Sequence, residues 1–180
     1  MTSEALDCHY SITGSGPSIF LTHGVGAAED AWRFITPKLS ENFTVITYDL
    51  RGHGRSPVTH KNFGLEELVL DLERVREKAN IDKGHFIGHS LGGMIAPAYA
   101  KKYPDKVLSV GMLSTVAGRS DDDTKKVWSV IKEMEENGVE KTLEKLTTRW
   151  FTDEFIANNS ELVTRRLKQV VNTDPDVFLN

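Results

Sequence analysis

Cysteine is nearly absent from this chain. Cys8 is the only one, so no internal disulfide forms and no cysteine set has metal-ligand spacing. It reads as a half-buried strand residue. Long apolar runs are missing too: none approaches the ~20 residues of a membrane-spanning helix. Met1 to Gly16 holds Glu4, Asp7 and His9 with no apolar centre, so it does not read as a signal peptide. An excess of positive charge is also lacking. The net charge is −4, which leaves no basic footprint for nucleic acid. These absences predict a cytoplasmic protein with neither nucleic-acid nor membrane partners. One further absence concerns chemistry. All six histidines lie at or before position 89, and the second half of the chain has none.

What is present is ordinary in composition. The chain is 39% hydrophobic and 27% charged, as expected of a globular protein, and 180 residues suit one domain with an inserted subdomain. Ala5 to Thr13 reads as a strand ended by the turn Gly14-Ser15-Gly16-Pro17. Ser18 to Thr22 and Phe43 to Tyr48 are short apolar or β-branched strands. Between them, Glu29 to Leu39 reads as a helix with Trp32, Ile35 and Leu39 on one face. Leu65 to Ala79 is amphipathic. Leu65, Leu68, Val69, Leu72, Val75 and Ala79 share a stripe, and Glu66, Glu67, Glu73 and Arg74 face away. A strand at His85 to Gly88, a helix at Leu91 to Lys102 and a strand at Val107 to Leu113 follow. Strands alternating with helices predict an α/β fold, a mostly parallel sheet flanked by helices, with its chemistry at the carboxyl ends of the strands.

From Gly118 onward no strand is evident. Ser120 caps a helix carrying Val127, Ile131 and Met134, which stops at Asn137-Gly138. Val139, Leu143, Leu146 and Trp150 form a second stripe, and Val163, Leu167, Val170 and Val171 a third. We expect residues 1–117 to form the N-terminal part of the sheet domain and 118–180 an incomplete helical cap. Asp174-Pro175 is a helix start signal followed by only Asp176 to Asn180. The expectation is a chain that stops as an element begins, with the C-terminal part of the core missing.

The most informative motif is Gly88-His89-Ser90-Leu91-Gly92, between a strand and a small-residue helix. This Gly-x-Ser-x-Gly pattern suits a sharp turn that holds a serine outward as a nucleophile. The helix start places the Leu91 N–H where it stabilises an oxyanion. A strand-to-helix turn without chemistry is the plainer alternative. His23-Gly24-Val25-Gly26 ends an earlier strand, and the Val25 N–H is the candidate second oxyanion donor. His23 is read as ordering that loop rather than as a general base. Asp49 to Ser56 is read as a charged loop folded on itself through Asp49, Arg51 and His53, in preference to Asp49 as a catalytic acid. His89 is expected to point away from Ser90, His85 to lie in a strand, and His9 and His60 carry no pattern.

Ser18 to Gly26, Asp49 to Ser56 and Gly88 to Gly93 together resemble the α/β-hydrolase superfamily, over about Ala5 to Ser114. The resemblance implies a serine hydrolase of esters or lactones that forms an acyl-enzyme on Ser90. Val25 and Leu91 would hold the oxyanion, and no metal or organic cofactor is implied. Serine at position 90 separates the chain from dehalogenase and epoxide-hydrolase relatives, which use Asp there. Arg149-Trp150-Phe151-Thr152 with Phe155, followed by Asp174-Pro175-Asp176, resembles the cap of 3-oxoadipate enol-lactonases. That implies Arg149 pairing with a substrate carboxylate and Trp150 walling the pocket. Ordinary cap packing is the alternative for both.

The chain departs from the family in its missing acid and base, which normally follow strands beyond the cap. Position 114 is Ser rather than Asp, and Pro97 falls inside the helix after the motif, with an expected kink. Carbon–carbon bond hydrolysis, perhydrolysis and a non-catalytic binding module remain alternatives. An uncovered sheet edge would favour a homo-oligomer or a complementing C-terminal fragment as partner.

Overall fold

A computed structural model describes residues 4–57 and 62–179. His60 lies outside them, as do the side chains of Glu144, Leu146, Thr147, Thr148, Arg149, Asp176 and Leu179. Two compact units divide the chain, one reaching to Ala117 and one running from Gly118 to Leu179.

The first unit is built on five strands: β1 (Tyr10–Thr13), β2 (Ser18–Thr22), β3 (Thr44–Tyr48), β4 (Gly84–His89) and β5 (Val107–Leu113). Their order is β1-β3-β2-β4-β5. Only β1 runs antiparallel, pairing Tyr10 with Tyr48, and the other pairs are parallel. The mostly parallel sheet read from the alternation is therefore present. Alternation along β2 and β3 splits the core. Phe20, Ile46 and Tyr48 face one side with Phe86, and Ile19, Leu21 and Val45 face the other. The first face is covered by α2 (Leu65–Lys78) and α3 (Leu91–Lys102) through Leu68, Val69, Leu72, Val75, Ile95, Ala96 and Tyr99. Phe86 stacks on Phe20 at 4.6 Å and against Tyr99 at 4.4 Å.

The second face differs from expectation. Glu29 to Leu39 is not one helix but a 3-10 turn (Glu29–Trp32) and a single turn of α1 (Thr36–Leu39). Pro37 gives the reason: it has no N–H for the carbonyl four residues back, so a helix cannot continue unbroken from Trp32, whereas proline is tolerated in the first turn of α1. Trp32 still packs on Ile19, Leu21 and Val45. The expected first strand is shortened as well. The His9 N–H donates to Ser56 Oγ at 2.9 Å instead of joining a ladder, and Cys8 lies ahead of β1, buried in the core rather than half-buried in a strand. Burial and the charge of Asp71 push the Cys8 thiol up to about 12. Glu73 does not face away. It is largely buried, taking hydrogen bonds from Arg76 at 2.7 and 2.8 Å and from Tyr99 Oη at 2.6 Å. α3 runs from Leu91 to Lys102 with Pro97 inside it.

The second unit is helical: α4 (Asp121–Asn137), α5 (Val139–Trp150), α6 (Asp153–Asn158), α7 (Ser160–Val171) and α8 (Pro175–Leu179). Ser120 Oγ caps α4 by accepting from the Asp123 N–H at 3.2 Å. Met134, Leu143 and Val170 form its core with Val130, Val139 and Phe178. Thr152, quoted in the sequence only as part of the cap resemblance, caps α6 by accepting from the Phe155 N–H at 3.2 Å.

Candidate active site

Ser90 sits between β4 and α3 with φ 53° and ψ −115°, a conformation that costs a non-glycine residue about 1–3 kcal/mol. Surrounding contacts enforce it. A Cβ on Gly88 would strike the carbonyl of Gly92, and one on Gly92 would strike the carbonyl of Thr22. Only glycines let the strand end, the helix start and β2 come this close. The Ser90 N–H donates to the Leu113 carbonyl at 2.9 Å, and the Ser90 carbonyl accepts from the Gly93 N–H at 2.9 Å. Leu91 is the first residue of α3, so its N–H belongs to the helix end that attracts negative charge.

The loop after β2 meets this turn at Gly24. A Cβ there would lie 3.1 Å from Ser90 Cβ and 3.3 Å from His89 Nδ1. The structure thus brings Gly24, next to the half-buried Val25, against the serine. His89 does not simply point away: its ring and the Ser90 side chain border the same face of Gly24.

Two buried histidines hold the loop in place. His23 Nε2 accepts from the Leu50 N–H at 3.0 Å, and His53 Nε2 accepts from the Gly26 N–H at 2.9 Å. Each Nδ1 lies within hydrogen-bond reach of a carbonyl, Gly24 at 2.8 Å and Arg51 at 2.9 Å. Because each Nε2 accepts, each ring carries its proton on Nδ1 and donates it to that carbonyl. The exchange is reciprocal between the two loops, and the rings meet edge to face at 5.2 Å. His23 therefore orders the loop. With both ring nitrogens committed to the backbone, neither histidine is placed to take a proton from Ser90.

Asp49 also serves the loop. Its carboxylate accepts from the Glu29 N–H at 2.7 Å and the Arg55 N–H at 2.9 Å. The expected closure through Asp49, Arg51 and His53 is corrected in one part. Arg51 leaves the loop and pairs with Asp71 on α2, at 2.6 and 2.7 Å, with both side chains buried. His9, Glu29 and Asp49 lie close enough to share an ion. Their oxygens already have partners, however: Arg55 and Thr47 hold Glu29, and amides hold Asp49. This cluster braces the loop.

The sequence reading missed Asp71 and Thr115. Asp71 carried a signal, a charge three residues after Leu68 and four before Val75, inside the apolar stripe of α2. Thr115 carried none. Its Oγ1 donates to the Ser90 carbonyl at 2.7 Å, just beyond Ser114, which has a φ of 46°. His85 lies in β4 as expected, with Nδ1 2.8 Å from Ser109 Oγ. In the helical unit, the Trp150 ring is covered by the Arg166 guanidinium at 5.1 Å. Arg149 lies in α5, its side chain outside the described set.

Similarity to known proteins agrees with this geometry. Residues 17–170 match the family model described as alpha/beta hydrolase fold. The chain is 28% identical over 167 residues to 3-oxoadipate enol-lactonase 1 of Acinetobacter baylyi, a match covering 92% of this chain and 61% of that protein. The chain thus spans about three-fifths of that relative's length. It superposes on an enol-lactonase from Burkholderia xenovorans LB400 with TM-score 0.88 at 24% identity, covering 98% of this chain and 70% of that one. A Nitrososphaera gargenis structure from a study of carboxylesterases gives TM-score 0.80 at 26% identity, covering 96% and 65%. With a strand-turn-helix serine at the carboxyl edge of a mostly parallel sheet and a family match across most of its length, this chain belongs to the α/β-hydrolase fold family.

Proposed function

We propose that this chain carries the nucleophile and oxyanion donors of a serine hydrolase acting on small carboxylic esters or lactones. The observation that carries this reading is the forced positive φ of Ser90 with Gly24 pressed against its side chain. A binding surface has no use for a strained, outward serine. In the proposed reaction Ser90 Oγ attacks the substrate carbonyl, and the N–H groups of Leu91 and Val25 receive the developing oxyanion. The acyl carbon–oxygen bond then breaks, the alcohol or enol oxygen takes up the proton that Ser90 gave to the base and, in a lactone, stays tethered to the acyl group, and water releases the acid and restores the Ser90 hydroxyl. A serine hydroxyl needs a base to become nucleophilic. His23 and His53 are engaged elsewhere, so the base is neither of them. For the finer substrate, an enol-lactone bearing a carboxylate, the support is the Acinetobacter relative together with the cap resemblance.

The test is labelling by a fluorophosphonate probe, comparing the protein with Ser90→Ala. Labelling of the wild-type protein alone is expected. Equal labelling of both proteins would sink the assignment of Ser90. A hydrolysis panel of simple esters, neutral lactones and carboxylate-bearing lactones would then rank the substrate classes.

A further inference from the structure

The peptide group joining Ser90 to Leu91 is planar and trans, so its carbonyl and its N–H point in opposite directions. Whatever fixes the Ser90 carbonyl therefore aims the Leu91 N–H. Two donors fix it. One is the Gly93 N–H at 2.9 Å, which belongs to the helix itself. The other is Thr115 Oγ1 at 2.7 Å, which arrives from the strand exit after β5. The same exit grips the other side of the serine, where the Leu113 carbonyl accepts the Ser90 N–H at 2.9 Å. Between these two grips lies Ser114 with φ 46°. Thr115 is also seated against α3, since a Cβ on Gly93 would fall 2.7 Å from Thr115 Cβ.

We propose that Thr115 is a positioning residue for the oxyanion hole, its hydroxyl holding the Ser90 carbonyl so that the Leu91 N–H faces the substrate carbonyl. This rests on the reading of Ser90 as nucleophile and Leu91 as oxyanion donor. Without the hydroxyl, the Ser90 carbonyl keeps only the Gly93 N–H, and the strained peptide is free to rotate toward an ordinary conformation. The catalytic loss comes from a misdirected donor, so it falls on the bond-making step and not on substrate capture.

Thr115→Val keeps the shape and removes the donor, and Thr115→Ser keeps the donor. The first readout is the kinetics of fluorophosphonate labelling, with Ser90→Ala as reference. Thr115→Val is expected to lower the maximal labelling rate about tenfold, with the half-saturating probe concentration unchanged within about twofold. Thr115→Ser is expected to restore the rate. The second readout needs no activity. In [15N]leucine-labelled protein the Leu91 amide resonance should move in Thr115→Val and return in Thr115→Ser. If Thr115→Val does not fold, Thr115→Ala takes its place with the same expected losses. An unmoved Leu91 resonance, or a labelling rate equal to wild type, overturns the role of Thr115. If Ser90→Ala labels as fast as wild type, the nucleophile reading falls by itself. The Leu91 resonance then still decides whether Thr115 aims the peptide.

Discussion

Arg51 shows how a single side chain ties the site to the core. It departs from the loop after β3 and forks onto Asp71, and the Leu6 N–H donates to the same carboxylate at 2.6 Å. Burying two charges is costly, and removing only one partner leaves the other uncompensated. Asp71→Ala is expected to lower unfolding free energy by about 3–5 kcal/mol in urea titration. The double change Arg51→Met with Asp71→Leu should lose much less. A drop of under about 1 kcal/mol for Asp71→Ala would show that the pair holds little. Half of this pair was legible. Arg51 stood out in a charged loop, whereas Asp71 was passed over because the periodicity around it looked complete.

Elements are joined by a second buried cluster. Glu73 and Arg76 on α2 meet Tyr99 on α3. Burial works to raise the Glu73 carboxyl, but the hydrogen bonds of Arg76 and Tyr99 outweigh it and hold the group below its ordinary range. The same burial, with the Glu73 hydrogen bond, pushes the Tyr99 phenol up. A carboxylate with a lowered native pKa adds stability that is complete above its unfolded value and lost as pH falls through the native one. Thermal or urea midpoints should therefore fall from about pH 5 downward, and Glu73→Gln should flatten that acid limb. An unchanged acid limb in Glu73→Gln would assign the loss to other carboxylates. The α2 stripe was readable from 3.6-residue spacing, but Glu73 lay outside the stripe, and Tyr99, the partner that makes it a buried group, comes from α3.

For the whole molecule, the decisive surface is the edge of the sheet. Among the described residues β5 pairs with β4 alone, and its apolar side chains stay open: Leu108 is 50% exposed, Val110 37% and Met112 53%. A strand of this composition suits burial on both faces, and a bare apolar edge invites pairing with another chain. We predict that the 180-residue chain self-associates, eluting above its 20.1 kDa monomer mass in light-scattering chromatography. Leu108→Lys with Met112→Lys should shift it toward monomer. A monodisperse 20.1 kDa species for the unmodified chain would count against an open edge.

By itself the sequence determined the parallel sheet, the helices on its first face, the serine turn and the two loops beside it. Those features rest on local patterning: alternation in strands, 3.6-residue stripes, and glycines where backbone must approach backbone. Leu91–Lys102 and Val107–Leu113 were legible to the residue for that reason. Pro37 shows the limit of the same method, because a stripe was followed across a residue that breaks it. Only the tertiary structure decided which polar groups meet. The exchange between His23 and His53, the reach of Arg51 to Asp71 and the hold of Thr115 on the Ser90 carbonyl join residues 20 to 30 positions apart. Hydrogen bonds of that kind depend on how strands order themselves in space, and β4 lies beside β5 and β2 rather than β3. No spacing along the chain encodes that order.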